Sequence, residues 1–201
     1  NNFKKGSKVL ELGCSYGHLL KRLEEDYDTI GIDISTYAIS KAKKNLKRPK
    51  LIQMNLEKDC NKLNNKKFDV IIAIDIFEHF RKPDQIAKKC FGLLKDGGIL
   101  ILKVPNRSSI ILSFLKILNK EEKWDCYKDK THYSFLKLKE WKKLFEKEGF
   151  NIRIIASPPT NILKNLFRKN PKIFFSKFNL KMLNETISFI CKKSIKNETS
   201  T

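Results

Sequence analysis

The chain has 201 residues, 41% of them hydrophobic and 10% aromatic, enough for one ordinary domain with a sizeable core. No apolar run approaches the ~20 residues that span a bilayer, and no secretory n-region and h-region open the sequence. The formal net charge of +20 suits anionic partners such as nucleic acid, lipid headgroups or acidic substrates, although lysine in large excess over arginine, with frequent Asn and Ile, is also what biased coding composition produces. Residues 8–12 are predicted as a buried strand and 17–25 as a helix. Residues 29–32 form a second predicted strand ending on Asp33, and Ser35 caps an amphipathic helix running to about Leu46. A short third strand covers 51–54. The run FDVIIAI at 68–74 is continuously apolar, as a strand covered on both faces requires. A helix over 83–94 with Pro83 in its first turn, a turn at Asp96-Gly97-Gly98 and a fifth strand over 99–104 follow. The second half is less regular: a helix within 108–120, a loop over 124–133, a helix over 138–148 stopped by Gly149, and strands at 150–155 and 186–191.

The repeated strand–helix order predicts a doubly wound α/β sheet with right-handed crossovers and helices on both faces. Its strand ends bring Gly13, Asp33, Asn55 and Asp75 to one edge, where open α/β sheets bind ligands. The whole chain, 1–201, is expected to be one domain, with a lid-like insertion at 106–133 and a variable substrate or interface segment at 158–185. Asn1 is not an initiator Met and a strand follows almost at once, so further residues are expected ahead of it in the full gene product. The five cysteines are scattered, without a C-x-x-C pair, which points to reduced thiols in a cytoplasm.

The stretch VLELGCSYGHLL (residues 9–20) carries the chemistry. Gly13 ends a strand, so the chain can turn sharply and approach a ligand, and Gly17 lets the next helix begin beside it. The pattern is E-x-G-x-x-x-G. Ser15 stands where the dinucleotide fingerprint needs its middle glycine, which disfavours NAD or FAD. Glu11 would repel a pyrophosphate but suits a cationic centre, and Asp33, twenty positions after Gly13, can accept from both ribose hydroxyls. Ribose, a cationic centre and no phosphate describe S-adenosylmethionine.

With these residues the chain resembles the class I S-adenosylmethionine-dependent methyltransferases. VLELGCSYG resembles the family's first motif, GIDIS its second, QMNLEKD the segment after strand three, and FDVIIAIDIFEHF and LLKDGGILILKVPN the later motifs. The resemblance implies a Rossmann-like, doubly wound, seven-stranded and mostly parallel sheet whose last strand is antiparallel. It implies S-adenosylmethionine as cofactor. Gly13, Cys14 and Gly17 would present backbone to its methionine end, which Glu11 helps organise. Asp33 would hold the ribose and Ile34 would pack on the adenine, with Asn55 and Leu56 beside it. Ile74 and Asp75 would stand near the transferred methyl. DKTHYSFLKLKEWKKLFEKEGF resembles a subset found in glycan and lipid-linked biosynthesis, and EHF resembles O-methyltransferases of the ubiquinone pathway type.

His79 and His132 are the candidate catalytic bases, since an imidazole takes a proton near neutral pH. Each has a bland alternative, a local cap or a loop hydrogen bond. His18 is taken as structural. Glu78 beside His79 is a carboxylate next to one imidazole, too few donors for a metal, so none is expected. Gly13 and Gly17 could be mere turn glycines and Asp33 a helix cap. The stripe Ile110, Ile111, Leu112, Phe114, Leu115, Ile117 and Leu118 suits a lid, or a membrane-surface face. Residues 161–183 mix Phe and Leu with Lys and Arg, which suits a packed crossover, a substrate cap or an interfacial element near anionic lipid. The expected reaction is O-methylation of a small-molecule, glycan-linked or lipid-linked acceptor by a cytoplasmic protein, with peripheral membrane contact open. An RNA acceptor is less favoured, because Asp75-Ile76-Phe77-Glu78 stands where many base methylases carry N-P-P-Y. A non-catalytic scaffold of the same fold is the reading from another class.

Overall fold

The computed structural model describes residues 3–63, 65–109, 113, 117, 129–156 and 186–194. Seven strands form one sheet: β1 (Lys8–Leu12), β2 (Asp28–Asp33), β3 (Lys50–Gln53), β4 (Phe68–Ile74), β5 (Leu94–Pro105), β6 (Phe150–Ala156) and β7 (Thr186–Lys193). Their order is β3-β2-β1-β4-β5-β7-β6. β1 through β5 pair in parallel, and β7 runs antiparallel between β5 and β6. The expected doubly wound sheet with an antiparallel last strand is therefore present. Its order reverses between β1 and β4, and a crevice opens there at the carboxyl ends of the strands.

Among the described residues four α-helices flank it: α1 (His18–Leu23), α2 (Thr36–Asn45), α3 (Pro83–Leu93) and α4 (Leu138–Lys147). Alternation along β1 sends Leu10 and Leu12 into the larger core, with Ile71, Phe77, Trp141, Phe145 and Phe189. Glu11 lies on the other face, in register with Gly31. There α1 and α2 close a smaller cluster of Cys14, Leu20 and Ile39. A Cβ on Gly31 would stand 2.5 Å from Leu20 Cδ1, so close seating of α1 on β2 requires this glycine.

Local chemistry sets the element ends. Ser35, extended at φ −82° and ψ 114°, accepts from the Ala38 N–H at 3.1 Å and caps α2. Pro83 opens α3. The Lys137 N–H donates to Glu140 Oε2 at 2.7 Å at the start of α4, and Gly149, at φ +92°, ends its turn. One expectation changes. Asp96-Gly97-Gly98 is not a turn before a separate strand but an irregularity inside β5. Leu94 pairs with Phe68, and regular pairing resumes at Ile99 opposite Val70. Most of the expected helix within 108–120, including nearly all of its apolar stripe, lies outside the described residues, as does 158–185.

Candidate active site at the carboxyl edge of the sheet

The turn after β1 is built as its sequence demands. Gly13 has φ +68°, and a Cβ there would come within 2.9 Å of Ile76 Cδ1. Gly17, at φ +79°, faces Leu46, whose Cδ1 would lie 2.5 Å from an added Cβ, so this glycine also answers to packing against the end of α2. The Cys14 N–H donates to Ile32 O at 2.9 Å and the Gly17 N–H to Cys14 O at 2.8 Å. The Cys14 side chain is buried among Leu20 and Ile39, which leaves only backbone at this position for a ligand.

Asp33 organises this edge. Its Oδ2 accepts from the Ser15 N–H at 2.9 Å and its Oδ1 from the Ser35 N–H at 2.8 Å. The cap of α2 is Ser35, not Asp33. Each Asp33 oxygen retains a second acceptor position. A cleft opens beside it, lined by Leu12, Gly13, Ile32, Asp33, Ile34, Met54, Asn55, Leu56, Glu57, Ile76, His79 and Phe80. Ile34 is 63% exposed. Asn55 folds its own loop, accepting from the Glu57 N–H through Oδ1 at 2.9 Å. Ile76, Met54, Glu57 and Phe80 were not singled out by the sequence reading. They enter the cleft because β3 and β4 end at the same edge.

Glu11, in β1 beside Gly31 of β2, is not among the residues that line the cleft. It is only 7% exposed, and its Oε2 has no hydrogen-bond partner among the described residues. Burial, then the negative charge of Asp33, pushes its carboxyl up to about 8. Ile74 and Asp75 lie outside the cleft lining. Asp75 has φ +50°, and its Oδ2 accepts from Lys103 Nζ at 2.8 Å.

His79 and His132, fifty-three positions apart in the chain, meet with ring centroids 4.6 Å apart. Residues 129–134 are tied onto the short 3-10 helix Phe77–His79 and the residues just after it. The Ser134 N–H donates to Glu78 O at 2.9 Å, Ser134 Oγ donates to Phe80 O at 2.7 Å, and the Arg81 guanidinium lies 3.9 Å over the Tyr133 ring. Glu78 is buried, and loss of hydration raises its carboxyl to about 7. The donor count behind the expectation of no metal is corrected: His132 joins Glu78 and His79, with one donor atom from each within 4.8 Å of the others. Ring nitrogens of both histidines already have protein partners, Nδ1 of His79 with Thr131 Oγ1 at 2.9 Å and Nε2 of His132 with Asp129 at 3.5 Å.

A mostly parallel sheet with an order reversal, a glycine turn without a phosphate-binding fingerprint and an acid ending the second strand make this a doubly wound α/β protein with its cleft at the carboxyl edge. The chain belongs to the methyltransferase domain family, whose model matches residues 1–154, within the class I S-adenosylmethionine-dependent methyltransferases. It is 30% identical over 110 residues to the ubiquinone biosynthesis O-methyltransferase of Coxiella burnetii (strain RSA 493 / Nine Mile phase I), covering 52% of this chain and 46% of that protein. It is 32% identical over 108 residues to the mitochondrial ubiquinone biosynthesis O-methyltransferase of Saccharomyces cerevisiae, covering 51% and 35%. The matched region thus spans less than half the length of these relatives. The fold is shared with a SAM dependent methyltransferase from Archaeoglobus fulgidus, at TM-score 0.68, 18% identity and coverage of 95% of this chain and 88% of that one. It is also shared with magnesium protoporphyrin IX methyltransferase from Synechocystis PCC 6803 with bound SAH, at TM-score 0.65, 17% identity and coverage of 94% and 75%.

The site fits the cofactor of this class. A buried carboxylate oxygen on Glu11, unpartnered among the described residues, suits positive charge or a donor, Asp33 retains acceptor capacity at the cleft, and Ile34, Met54 and Leu56 offer aliphatic walls for a flat ring.

Proposed function

We propose that this chain is the catalytic part of an S-adenosylmethionine-dependent O-methyltransferase acting on a small molecule or on a glycan- or lipid-linked biosynthetic intermediate. The observation that carries the reading is a pair of acids on adjacent strands: Glu11 in β1, buried with one oxygen unpartnered among the described residues, and Asp33 at the end of β2, held at the cleft by two backbone N–H groups. When bound, the cofactor supplies a methyl group on a sulfonium centre, so the protein's task is alignment and proton removal. Asp33 accepts from the ribose hydroxyls. Ile34, Asn55 and Leu56 surround the adenine. Gly13, Cys14 and Gly17 shape the turn around the methionine end, with Glu11 as its counter-charge. Ile74 and Asp75 stand near the methionine end and the transferred methyl, with the Asp75 carboxylate held by Lys103 Nζ. His79 takes the acceptor's hydroxyl proton, and His132 packs on its ring to hold the acceptor side closed.

An oxygen acceptor is supported by relatives named as O-methyltransferases and by the EHF segment that brings His79 to the cleft. Residues 106–133 and 158–185 are assigned to shaping the acceptor pocket. The excess of lysine suits peripheral contact with an anionic membrane, where a lipid-linked acceptor would reside. Labelled cofactor offered with catechols, sugars and lipid-linked hydroxyl compounds tests the reading. Methyl should appear on oxygen, and His79→Ala should lower turnover by about 100-fold or more while S-adenosylhomocysteine binds nearly as before. Methyl on nitrogen or carbon, or full turnover in His79→Ala, would contradict it.

A further inference from the structure

The 129–134 segment does more than pack on His79; it presents two oxygens to Nδ1 of that ring. The Thr131 hydroxyl has a single proton, and Asp129 claims it: Thr131 Oγ1 donates to Asp129 Oδ1 at 2.6 Å. Towards His79 Nδ1, 2.9 Å away, the hydroxyl can then only accept. The Thr131 carbonyl oxygen, 3.3 Å from the same nitrogen, can only accept as well. Two acceptors thus face Nδ1, which must present N–H. A neutral imidazole has one N–H, so the lone pair is left on Nε2. The hydroxyl's orientation is itself fixed, because Asp129 Oδ1 also accepts from the Thr131 N–H at 2.8 Å.

We propose that Asp129 and Thr131 are positioning residues that lock His79 in the Nδ1–H tautomer, with Nε2 left as the proton acceptor for the substrate hydroxyl. The proposal rests on the reading of His79 as the base. In the step it serves, the acceptor's O–H bond breaks and its proton forms the new Nε2–H bond. The freed electron pair on oxygen forms the bond to the methyl carbon, whose bond to sulfur breaks with its pair left on sulfur. The imidazolium that results has Asp129 nearby, connected through Thr131 and, by its other oxygen, 3.5 Å from His132 Nε2. A base oriented by a third group is the general logic of an activated hydroxyl. Here the orienting carboxylate acts through a threonine hydroxyl, and the same carboxylate borders both histidines.

The test needs no acceptor. The chain has three histidines, and nitrogen NMR of the labelled protein with EDTA, at about pH 8 and so above the ordinary histidine pKa of about 6.5, reads each tautomer. His79→Asn assigns the signals. His79 should be Nδ1–H in the wild type and in Thr131→Ser. It should become mixed in Thr131→Val, which keeps only the more distant carbonyl. It should move towards Nε2–H in Asp129→Ala, where the hydroxyl is released to donate to Nδ1. S-adenosylhomocysteine affinity should change by less than about twofold in the Thr131 and Asp129 variants, since neither residue lines the cleft. Nε2–H in the wild type overturns the proposal, as does an Nδ1–H signal unmoved in both Thr131→Val and Asp129→Ala. The wild-type spectrum decides even if a variant fails to fold. An Nδ1–H tautomer together with full turnover in His79→Ala would leave the positioning intact and remove the base assignment instead.

Discussion

Glu11 is a carboxyl raised from 4.5 to about 8, first by burial and then by the charge of Asp33. Its folded value lies above its unfolded one, so ionisation is disfavoured in the folded state. Its contribution therefore weakens stability as pH climbs from about 4.5 to about 8, and is flat above that. Glu11→Gln should lose this slope, read from urea midpoints across the same range. A cationic ligand end reverses the balance by favouring the carboxylate, each unit of lowered pKa being about 1.4 kcal/mol of binding. S-adenosylmethionine binding near pH 7 should thus release up to one proton, more than S-adenosylhomocysteine, which lacks the sulfonium charge, measured by calorimetry in buffers of different ionisation enthalpy. Glu11→Gln should release none from this site, and proton uptake in the wild type would contradict the assigned role. At Gly13 the constraint is conformational: φ is +68°, and Ile76 fills the space a side chain would take. Gly13→Ala should destabilise the fold by about 1–2 kcal/mol from left-handed backbone alone and weaken the turn that meets the cofactor.

Among the elements, β4 was the easiest to recognise, because FDVIIAI is apolar on both faces, and β1 and β2 were nearly as plain. The direction of β7 had no signature in TISFIC, since period-2 alternation is the same in either orientation; its antiparallel pairing comes from its place between β5 and β6. The Asp-Gly-Gly segment looked like a turn because glycine there adopts φ +74° at Gly97, but the chain resumes the same strand. Gly13 and Asp33 stood out because each punctuates a strand end. Thr131, Asp129 and Lys103 did not, since their partners His79 and Asp75 lie far away in the chain and meet them only after folding. Two packing consequences are measurable. Gly31→Ala would push a methyl against Leu20 and should cost about 1–3 kcal/mol, seen as a lower urea midpoint with an unchanged slope. Trp141 is fully buried, stacks on Phe145 and donates from Nε1 to Pro105 O at 3.1 Å, so Trp141→Ala should cost about 3–5 kcal/mol.

For the molecule as a whole, a charge of +20 on a chain of this length makes self-repulsion a general term. Salt shortens the reach of that repulsion to about 10 Å at 0.1 M, so added sodium chloride should raise the melting temperature. No helix among the described residues is long and apolar enough to cross a membrane. Anionic lipid vesicles should retain the protein at low salt and release it at high salt, while zwitterionic vesicles should not retain it. The edge carrying Glu11, Gly13 and Asp33 is the proposed seat of S-adenosylmethionine. The most direct measurement is calorimetric titration of the protein with S-adenosylhomocysteine, with Asp33→Ala and NAD as controls. Micromolar binding is expected, weakened at least tenfold in Asp33→Ala because each lost charge-assisted hydrogen bond is worth about 1.5–3 kcal/mol, with no heat from NAD. A folded protein that ignores S-adenosylhomocysteine, or binds it equally well without the Asp33 carboxylate, would contradict it.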